Sequence, residues 1–216
     1  MKRIVLTDGG MGQELLRRSG AAPTPLWSAR VLIDEPDLVR DLHADFIDAG
    51  ARVITINTYA ATPERLEREG VGELFEELQQ RGIDLAKQAR DMTGADVRIA
   101  GCLPPLFGSY KPELTLSFDE TLEIYRRVVA AQKDQVDLIL CETMASAEEA
   151  LAAATAASEA SLPVWVSWTL QDSLDGAQLR SGETIEEAAK AIAHIKFEAR
   201  MINCSKPEVI SAGMDD

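Results

Sequence analysis

The stretch Asp8-Gly9-Gly10-Met11-Gly12-Gln13-Glu14 directly follows a short apolar run, Arg3–Leu6, near the start of the chain. A dinucleotide-binding α/β sheet would carry the pattern Gly-x-Gly-x-x-Gly after its first strand. Here the glycine spacing differs, and an acidic residue stands where a phosphate would be bound. The stretch therefore argues against an open, doubly wound sheet. It favours the other common parallel α/β architecture, the (β/α)8 barrel.

A unit of three parts repeats along the chain: a short β-branched apolar run, a loop rich in Gly, Pro or Asn, and an amphipathic helix. Such runs, nearly continuous in hydrophobicity, are typical of parallel strands that are buried on both faces. Strands that alternate with helices predict a parallel sheet with right-handed crossovers. The predicted strands are Arg3–Leu6, Arg52–Asn57, Val97–Cys102, Val136–Cys141, Pro163–Thr169 and Arg200–Cys204.

Helix signals lie between these strands. Pro36 begins a predicted helix that Gly50 ends, and apolar residues recur between them at helical spacing. Further helices are predicted over residues 73–92 and in the segment after Lys206. Capping boxes, in which Ser or Thr precedes Glu by three positions, mark other helix starts. They are Ser117 with Glu120, Ser146 with Glu149, and Thr184 with Glu187.

The fold prediction is an α/β protein of the (β/α)8 barrel type with about six βα units present. A complete barrel needs eight strands and about 250 residues, whereas this chain has 216 residues. Its last stretch, Ser211–Asp216, continues a helical pattern. We therefore expect residues 1–216 to form a single barrel domain whose C-terminal part is missing. No linker or shift in composition indicates a second domain.

Composition argues against several classes of function. Lys and Arg number 22 against 36 Asp and Glu, and the net charge of −14 repels nucleic-acid phosphates. No apolar run approaches the roughly 20 residues that cross a bilayer, and the N-terminal run is too short for a signal peptide. We expect a cytoplasmic protein that acts on small molecules, without nucleic-acid or membrane partners. A homo-oligomer is compatible with the sequence.

The candidate metal ligands include three cysteines: Cys102, Cys141 and Cys204. Their odd number and the lack of a secretory signal indicate reduced thiols. Each lies near the end of a predicted strand, so a zinc site made of all three is one interpretation. It is weakened because the third and sixth strands lie on different sides of a barrel, and an inert buried thiol is the alternative for each. His43 and His194 lie on predicted helices and are interpreted as surface or packing residues.

Polar side chains close the predicted strands, at the edge where a barrel gathers its chemistry. Asp8 and Glu142 are carboxylates that together can hold an ammonium group or act as acid and base. The alternatives are helix capping for Asp8 and a helix N-terminal charge for Glu142. Asn57 either caps a loop or contacts a ligand. A thiolate at Cys204 is a candidate zinc ligand or nucleophile.

In their order along the chain, the motifs resemble the homocysteine S-methyltransferases. This family includes betaine-dependent and S-methylmethionine-dependent enzymes and the homocysteine domain of methionine synthase. The resemblance runs from Asp8 to Cys204, nearly the whole chain, and is specific because several motifs recur in the family's order at strand ends. They are Asp8-Gly9-Gly10-Met11-Gly12-Gln13-Glu14-Leu15, Leu26-Trp27-Ser28-Ala29, His43 with Ala49-Gly50-Ala51, Thr55-Ile56-Asn57-Thr58-Tyr59, Glu142-Thr143, Val164-Trp165-Val166-Ser167, and Ile202-Asn203-Cys204-Ser205-Lys206-Pro207.

The resemblance implies a (β/α)8 barrel that transfers a methyl group to the sulfur of homocysteine, giving methionine, with zinc as cofactor. It also implies that Cys204 is the first zinc ligand. The other two ligands are an adjacent pair in a Gly-Gly-Cys-Cys motif, expected beyond Asp216. Cys102 and Cys141 match no ligand. The 216 residues alone are therefore expected to bind zinc weakly and to be inactive.

The resemblance also implies how the substrate is bound. Asp8 and Glu142 match the acidic residues that hold the amino group of homocysteine. Asn57 and Thr143 match positions that line the same pocket. The loop over residues 102–110 departs from the commoner Ser-x-Gly-Pro-Tyr form, which leaves the donor side of the pocket undefined.

Two other functions remain open from the sequence. A degenerate or truncated barrel would act as a non-catalytic binding or assembly protein. A barrel lyase or aldolase that uses Glu142 is the second, although Lys206 lies past the turn and no lysine closes a strand. Betaine, S-methylmethionine, S-adenosylmethionine and a methylfolate are all candidate methyl donors.

Overall fold

The structure, a computed structural model, describes residues 4–20, 22, 24–173 and 177–213. They form two compact units: a first unit up to Cys102 together with Ala131–Leu138, and a second unit of Leu103–Ala130 and the residues from Ile139 onward. Arg3, where the first predicted strand begins, and residues 214–216 of the predicted terminal stretch lie outside the described residues.

In the first unit, two parallel strands are accompanied by helices. Strands β1 and β2 pair in the register Val53–Arg98, Ile54–Ile99 and Thr55–Ala100. The elements in chain order are α1 (Met11–Ser19), α2 (Ser28–Asp34), α3 (Pro36–Asp48), β1 (Val53–Thr55), α4 (Pro63–Arg68), a 3₁₀ turn (Gly72–Leu74), α5 (Phe75–Thr93) and β2 (Arg98–Leu103).

Helix α3 shows how the sequence signals act. Pro36 lies in its first turn, where the missing N–H costs no hydrogen bond. Gly50 follows the helix with φ 113°, a conformation that favours glycine. Val39, Leu42 and Ile47 are buried on one face, and the helix packs against α5. Both helices predicted in this unit are confirmed.

In the second unit, three strands pair in parallel in chain order. Strand β3 pairs with β4, and β4 pairs with β5. The elements are a 3₁₀ turn (Pro112–Leu114), α6 (Phe118–Gln132), β3 (Leu138–Met144), α7 (Ala147–Ser158), β4 (Val164–Trp168), α8 (Ile185–Ala191), β5 (Ala199–Ile202) and α9 (Pro207–Gly213). Strand β4 is buried along its whole length, as expected for a parallel strand covered on both faces.

The predicted capping boxes mark real helix starts but differ in completeness. The box at Thr184 has both reciprocal hydrogen bonds. At Ser146 the hydroxyl accepts a hydrogen bond from the N–H of Glu149, as the box requires. At Ser117 the hydroxyl donates to the Glu120 carboxylate. The helices after these residues, α8, α7 and α6, begin where they were predicted to begin.

Residues 4–6, the described part of the first predicted strand, form no strand. Thr7 forms an isolated parallel bridge with Val53, and the carbonyl oxygen of Leu6 accepts a hydrogen bond of 2.8 Å from the N–H of Arg52. Ile4 is 92% exposed, so burial does not stabilise an extended strand in this segment. The other predicted strands form, with ends shifted by up to three residues.

Strands and helices alternate, and within each unit the strands pair with their neighbours in chain order. A doubly wound sheet instead reverses its strand order at a switch point. The α/β class with parallel strands is therefore confirmed, and the order is that of (β/α) barrel units. Among the described residues, no helix is both long and apolar enough to cross a membrane.

Candidate active site

A β-bulge interrupts β3 at two of the predicted site residues. Cys141 pairs with Val166 and Met144 with Trp168, so Glu142 and Thr143 together oppose one residue of β4. Thr143 has φ 61°, a left-handed conformation that is rare for a β-branched residue. Bulges of this kind change the direction of side chains and are frequent beside active sites.

The side-chain amide of Asn203 holds this bulge in place. Its Oδ1 accepts hydrogen bonds from the N–H of Thr143 at 3.0 Å and from the hydroxyl of Ser167 at 2.9 Å. Its Nδ2 donates to the Thr143 hydroxyl at 2.9 Å. Asn203 follows β5, Ser167 lies on β4 and Thr143 on β3. One amide therefore joins the carboxyl ends of three strands.

The sulfur of Cys204 lies at the same strand edge. Its Sγ accepts hydrogen bonds from the Thr143 hydroxyl at 3.6 Å and from Asn203 Nδ2 at 3.5 Å. Cys204 is exposed and has φ 50°, a second left-handed residue at the site. Its carbonyl oxygen accepts from the Thr169 hydroxyl at 3.1 Å. Strained backbone that surrounding hydrogen bonds enforce is typical of functional positions.

An aromatic residue contacts the same sulfur, and a guanidinium stacks on its ring. The hydroxyl of Tyr110 interacts with Cys204, and burial, then the nearby thiol, raise the pKa of Tyr110 to about 12. The guanidinium carbon of Arg180 lies 4.8 Å from the Tyr110 ring centroid. Arg180 also contacts Asp172, with both N–O distances at 3.4 Å. The second unit therefore places a thiol, a phenol and a cation in one cluster.

In the first unit, Asp8 is bound to the end of β1. Its Oδ2 accepts a hydrogen bond of 2.7 Å from the N–H of Thr55, and the Thr55 hydroxyl lies 3.4 Å from Oδ1. Helix α1, which follows, has Gly10 at its N-cap and no side-chain cap. Asp8 therefore does not occupy the N-cap position of this helix. The carboxylate instead links the N-terminal segment to β1.

Asn57 joins two of the sequence motifs. It is 4% exposed, and its Nδ2 donates to the carbonyl oxygen of Ser28 at 3.3 Å. The ring of Trp27 packs edge-on against that of Tyr59, with centroids 5.8 Å apart. A Cβ at Gly12 would lie 2.5 Å from the Trp27 ring, so only glycine fits beneath this indole. Three motifs of the first unit thus pack together.

The other two thiols have different environments from Cys204. Cys102 and Cys141 are fully buried, and burial raises the pKa of Cys141 well above its usual range. A buried thiol of this kind is typically a small, inert apolar residue. Among the described residues, no group of three or more His, Cys, Asp and Glu is arranged to hold a metal. The interpretation of a three-cysteine zinc site is therefore wrong.

Comparison with known proteins agrees with these motifs. The family model for homocysteine S-methyltransferase matches residues 5–216. A selenocysteine methyltransferase of Astragalus bisulcatus is 32% identical over an alignment of 240 positions, and the alignment covers 96% of this chain and 70% of the relative. The homocysteine S-methyltransferase of Escherichia coli (strain K12) is 30% identical over 230 residues, covering 98% of this chain and 72% of the relative.

The chain belongs to the homocysteine S-methyltransferase family.

A solved member of the family has the same fold. The metallated form of the homocysteine methyltransferase MmuM from Escherichia coli matches with a TM-score of 0.87 and 29% identity, covering 99% of this chain and 79% of that chain. The predicted barrel-type fold and the predicted enzyme class, a homocysteine S-methyltransferase, are thereby confirmed. The substrate-binding and metal-binding roles of individual residues remain predictions.

For this family member, the structure distributes the predicted site residues over both units. Thr143 and Cys204 contact each other in the second unit, with Glu142 beside Thr143 on the bulge. Asp8 and Asn57 lie in the first unit, at and just after β1.

Sequence reasoning missed two residues that contact Cys204, Asn203 and Tyr110, and a third, Arg180, that stacks on Tyr110. Asn203 precedes the cysteine in a quoted motif, which was the available signal for its role. Tyr110 and Arg180 lie in loops, and nothing in their sequence surroundings indicates that they meet beside a thiol 24 or more residues away.

Proposed function

We propose that the protein transfers a methyl group from a sulfonium, ammonium or folate donor to the sulfur of homocysteine, giving methionine. Membership of the homocysteine S-methyltransferase family supports the reaction class. The observation that carries the proposal for this chain is the exposed Cys204 sulfur, held by Thr143 and Asn203 at the carboxyl ends of the strands. In parallel α/β barrels this edge carries the catalytic groups.

Cys204 is proposed to supply a thiolate ligand to zinc. Its sulfur is exposed and already accepts two hydrogen bonds, a setting that suits a thiolate. The related E. coli enzyme has a metallated form. When bound, zinc would lower the pKa of a coordinated thiol so that the sulfur stays deprotonated at neutral pH. Hydrogen bonds from Thr143 and Asn203 would then orient the ligand sulfur and reduce its charge.

Asp8 and Glu142 are proposed to hold the ammonium group of the amino-acid acceptor. The charge-assisted hydrogen bonds from an ammonium to a carboxylate are among the stronger ones in proteins. Glu142 lies on the bulge next to Thr143, and the hydroxyl of Thr143 contacts the Cys204 sulfur. Asp8 is fixed by Thr55, which limits its rotation. Asn57 and Thr143 are proposed to line the same pocket.

The reaction balances without an oxidant or reductant. The acceptor thiol releases its proton, and its sulfur forms the new S–CH₃ bond. The bond from the donor heteroatom to the same methyl group breaks, and its electron pair remains on the donor. The heteroatom of a sulfonium or quaternary ammonium donor thereby becomes neutral, and the nitrogen of a folate donor takes up the proton that the acceptor thiol releases. The contribution of this chain's residues is to bind and align the two substrates, which accounts for much of the rate in such transfers.

The acceptor class is proposed to include selenols as well as thiols. One relative at 32% identity is a selenocysteine methyltransferase, and another at 30% is a homocysteine S-methyltransferase. Both acceptors are amino acids that carry a nucleophilic chalcogen. The same ammonium-binding carboxylates would serve either substrate.

The test is a methyl-transfer assay of the full-length gene product. Homocysteine and selenocysteine are each combined with S-methylmethionine, betaine, S-adenosylmethionine or a methylfolate, and the methylated product is measured. The proposal predicts product with at least one pair and none with Cys204→Ala. Absence of product from every pair would refute methyl transfer and favour a non-catalytic binding role.

A further inference from the structure

Arg180 is a cation held in a confined position beside the proposed active site. It lies between β4 and α8, in a segment closed by the antiparallel bridges Leu170–Leu179 and Gln178–Thr184. Its side chain is only 19% exposed. The Nε–H is buried and meets no acceptor among the residues that the structure describes. A buried N–H of this kind is costly unless a ligand supplies the acceptor.

The one ion pair of Arg180 in the described part of the chain leaves the buried Nε–H without an acceptor. Asp172 is contacted through Nη1 and Nη2, at 3.4 Å in both cases, which is long for a charge-assisted hydrogen bond. The Asp172 side chain is itself 49% exposed. A guanidinium presents five N–H donors, and its Nε edge can bind a second carboxylate in the bidentate manner.

Tyr110 lies between this cation and the Cys204 sulfur, and it contacts both. The guanidinium stacks on its ring at 4.8 Å, and its hydroxyl interacts with the Cys204 sulfur. The ring is 46% exposed, so a small molecule can reach it. Arg180 therefore lies about one aromatic ring away from the Cys204 sulfur, the proposed zinc ligand.

We propose that Arg180, stacked on Tyr110, binds the carboxylate of the methyl donor and so selects sulfonium or ammonium donors that carry a carboxylate. The inference rests on the proposed function and specifies its donor. A donor with a positive sulfur or nitrogen and no anion would be repelled by the guanidinium. A zwitterionic donor such as S-methylmethionine or betaine places its carboxylate on Arg180 while its methyl group faces the acceptor.

The test compares two donors that differ only in the carboxylate: S-methylmethionine and its carboxamide, S-methylmethioninamide. Steady-state kinetics are measured on the full-length gene product with homocysteine as acceptor. Wild type should prefer the acid. Arg180→Gln should raise KM for the acid about tenfold, the usual loss for one charge-assisted hydrogen bond, and should lower KM for the amide, because the repulsion between two cations is removed. KM for homocysteine should not change in this variant.

Arg126→Gln is the matched control, because Arg126 lies on α6 and pairs at the surface with Glu159. It should leave both donor KM values unchanged. Equal KM values for acid and amide in wild type, or an equal effect of Arg180→Gln on both donors, would overturn the proposal. A rise confined to KM for homocysteine would also overturn it, because the carboxylate bound would then be that of the acceptor.

A binding measurement separates this inference from the proposed function. Isothermal titration of S-methylmethionine and its amide into the protein without acceptor should show tighter binding of the acid, lost in Arg180→Gln. If no methyl transfer occurs with any donor, this arm still tests the carboxylate site. If Arg180→Gln does not fold, Asp172→Asn replaces it: removal of the competing anion should lower KM for the acid, and a higher KM would contradict the assignment.

Discussion

The amide of Asn203 bonds Thr143 at two points, its backbone N–H at 3.0 Å and its hydroxyl at 2.9 Å, although the two residues are 60 positions apart. Thr143 has φ 61°, which a threonine adopts only when its surroundings enforce it. The same amide donates to the Cys204 sulfur at 3.5 Å. The strained bulge and the proposed ligand sulfur are therefore held by one side chain.

Asn203→Ala is expected to destabilise the protein and disturb the site together. It removes hydrogen bonds to Thr143, Ser167 and Cys204, so we expect a loss of about 2 kcal/mol in the free energy of unfolding and at least tenfold lower kcat/KM. Ser167→Ala, the control, removes one of these bonds and should cost about 1 kcal/mol. Urea denaturation measures the free energy of unfolding of both variants. Equal values for the two would contradict the central role of Asn203.

Gly12→Ala is expected to destabilise the first unit. The added Cβ would lie 2.5 Å from the ring of Trp27, and overpacking of this kind costs about 1–3 kcal/mol. Helix propensity alone would favour alanine at position 12. A net loss of stability would therefore be due to the clash with the Trp27 ring. Gly10→Ala is the control, because nothing lies within 4 Å of its Cβ position. A Gly12→Ala protein with the urea midpoint of Gly10→Ala would show that Trp27 is not packed on this glycine.

His43 makes stability depend on pH in the acid range. The ring is fully buried, neither nitrogen has a partner among the described residues, and burial lowers its pKa from 6.5 to about 4. Between these values the unfolded chain binds the proton and the folded chain does not. Stability from this group is therefore complete above pH 6.5 and is lost as the pH falls toward 4. The total is about 3 kcal/mol at 1.4 kcal/mol per unit.

His43→Leu should flatten this dependence. Chemical denaturation at several pH values between 7 and 4 measures the free energy of unfolding of each variant. His194→Gln is the control, since His194 is exposed and should leave the pH dependence as in wild type. An unchanged slope in His43→Leu would mean that other groups produce the acid sensitivity.

Asp8→Asn and Glu142→Gln are expected to weaken acceptor binding. An asparagine at position 8 can still accept the hydrogen bond from Thr55, so the fold should persist while the charge is lost. We expect KM for homocysteine to rise about tenfold in each variant, with KM for the donor unchanged. Asp37→Asn, at an exposed ion pair with Arg40, is the control. If neither carboxylate variant changes KM for homocysteine, the proposed ammonium site is wrong.

Local signals in the sequence predicted most of the framework. The apolar runs became parallel strands, and Pro36, Gly50 and Thr184 marked helix ends, because the physics of these signals lies within a few neighbouring residues. The segment before Asp8 was predicted as a strand from its apolar residues alone. Residues 4–6 form no strand, because side chains such as Ile4 are almost fully exposed and gain no stability from burial there.

The environment of the site was less predictable. The predicted strand ended at Cys141, whereas β3 continues to Met144 through a bulge. No propensity indicates φ 61° at a threonine, because the distant Asn203 enforces it. Contacts between distant loops, such as Tyr110 with Arg180, also carry no local pattern.

The most direct test of the central claim is the zinc content of the full-length gene product, measured by mass spectrometry after dialysis. We predict about one zinc per chain in the wild type and in Cys141→Ala, whose thiol is buried and protonated. We predict loss of the metal in Cys204→Ala. Equal zinc in Cys204→Ala and wild type would contradict the assignment of the Cys204 sulfur as the metal-binding thiolate.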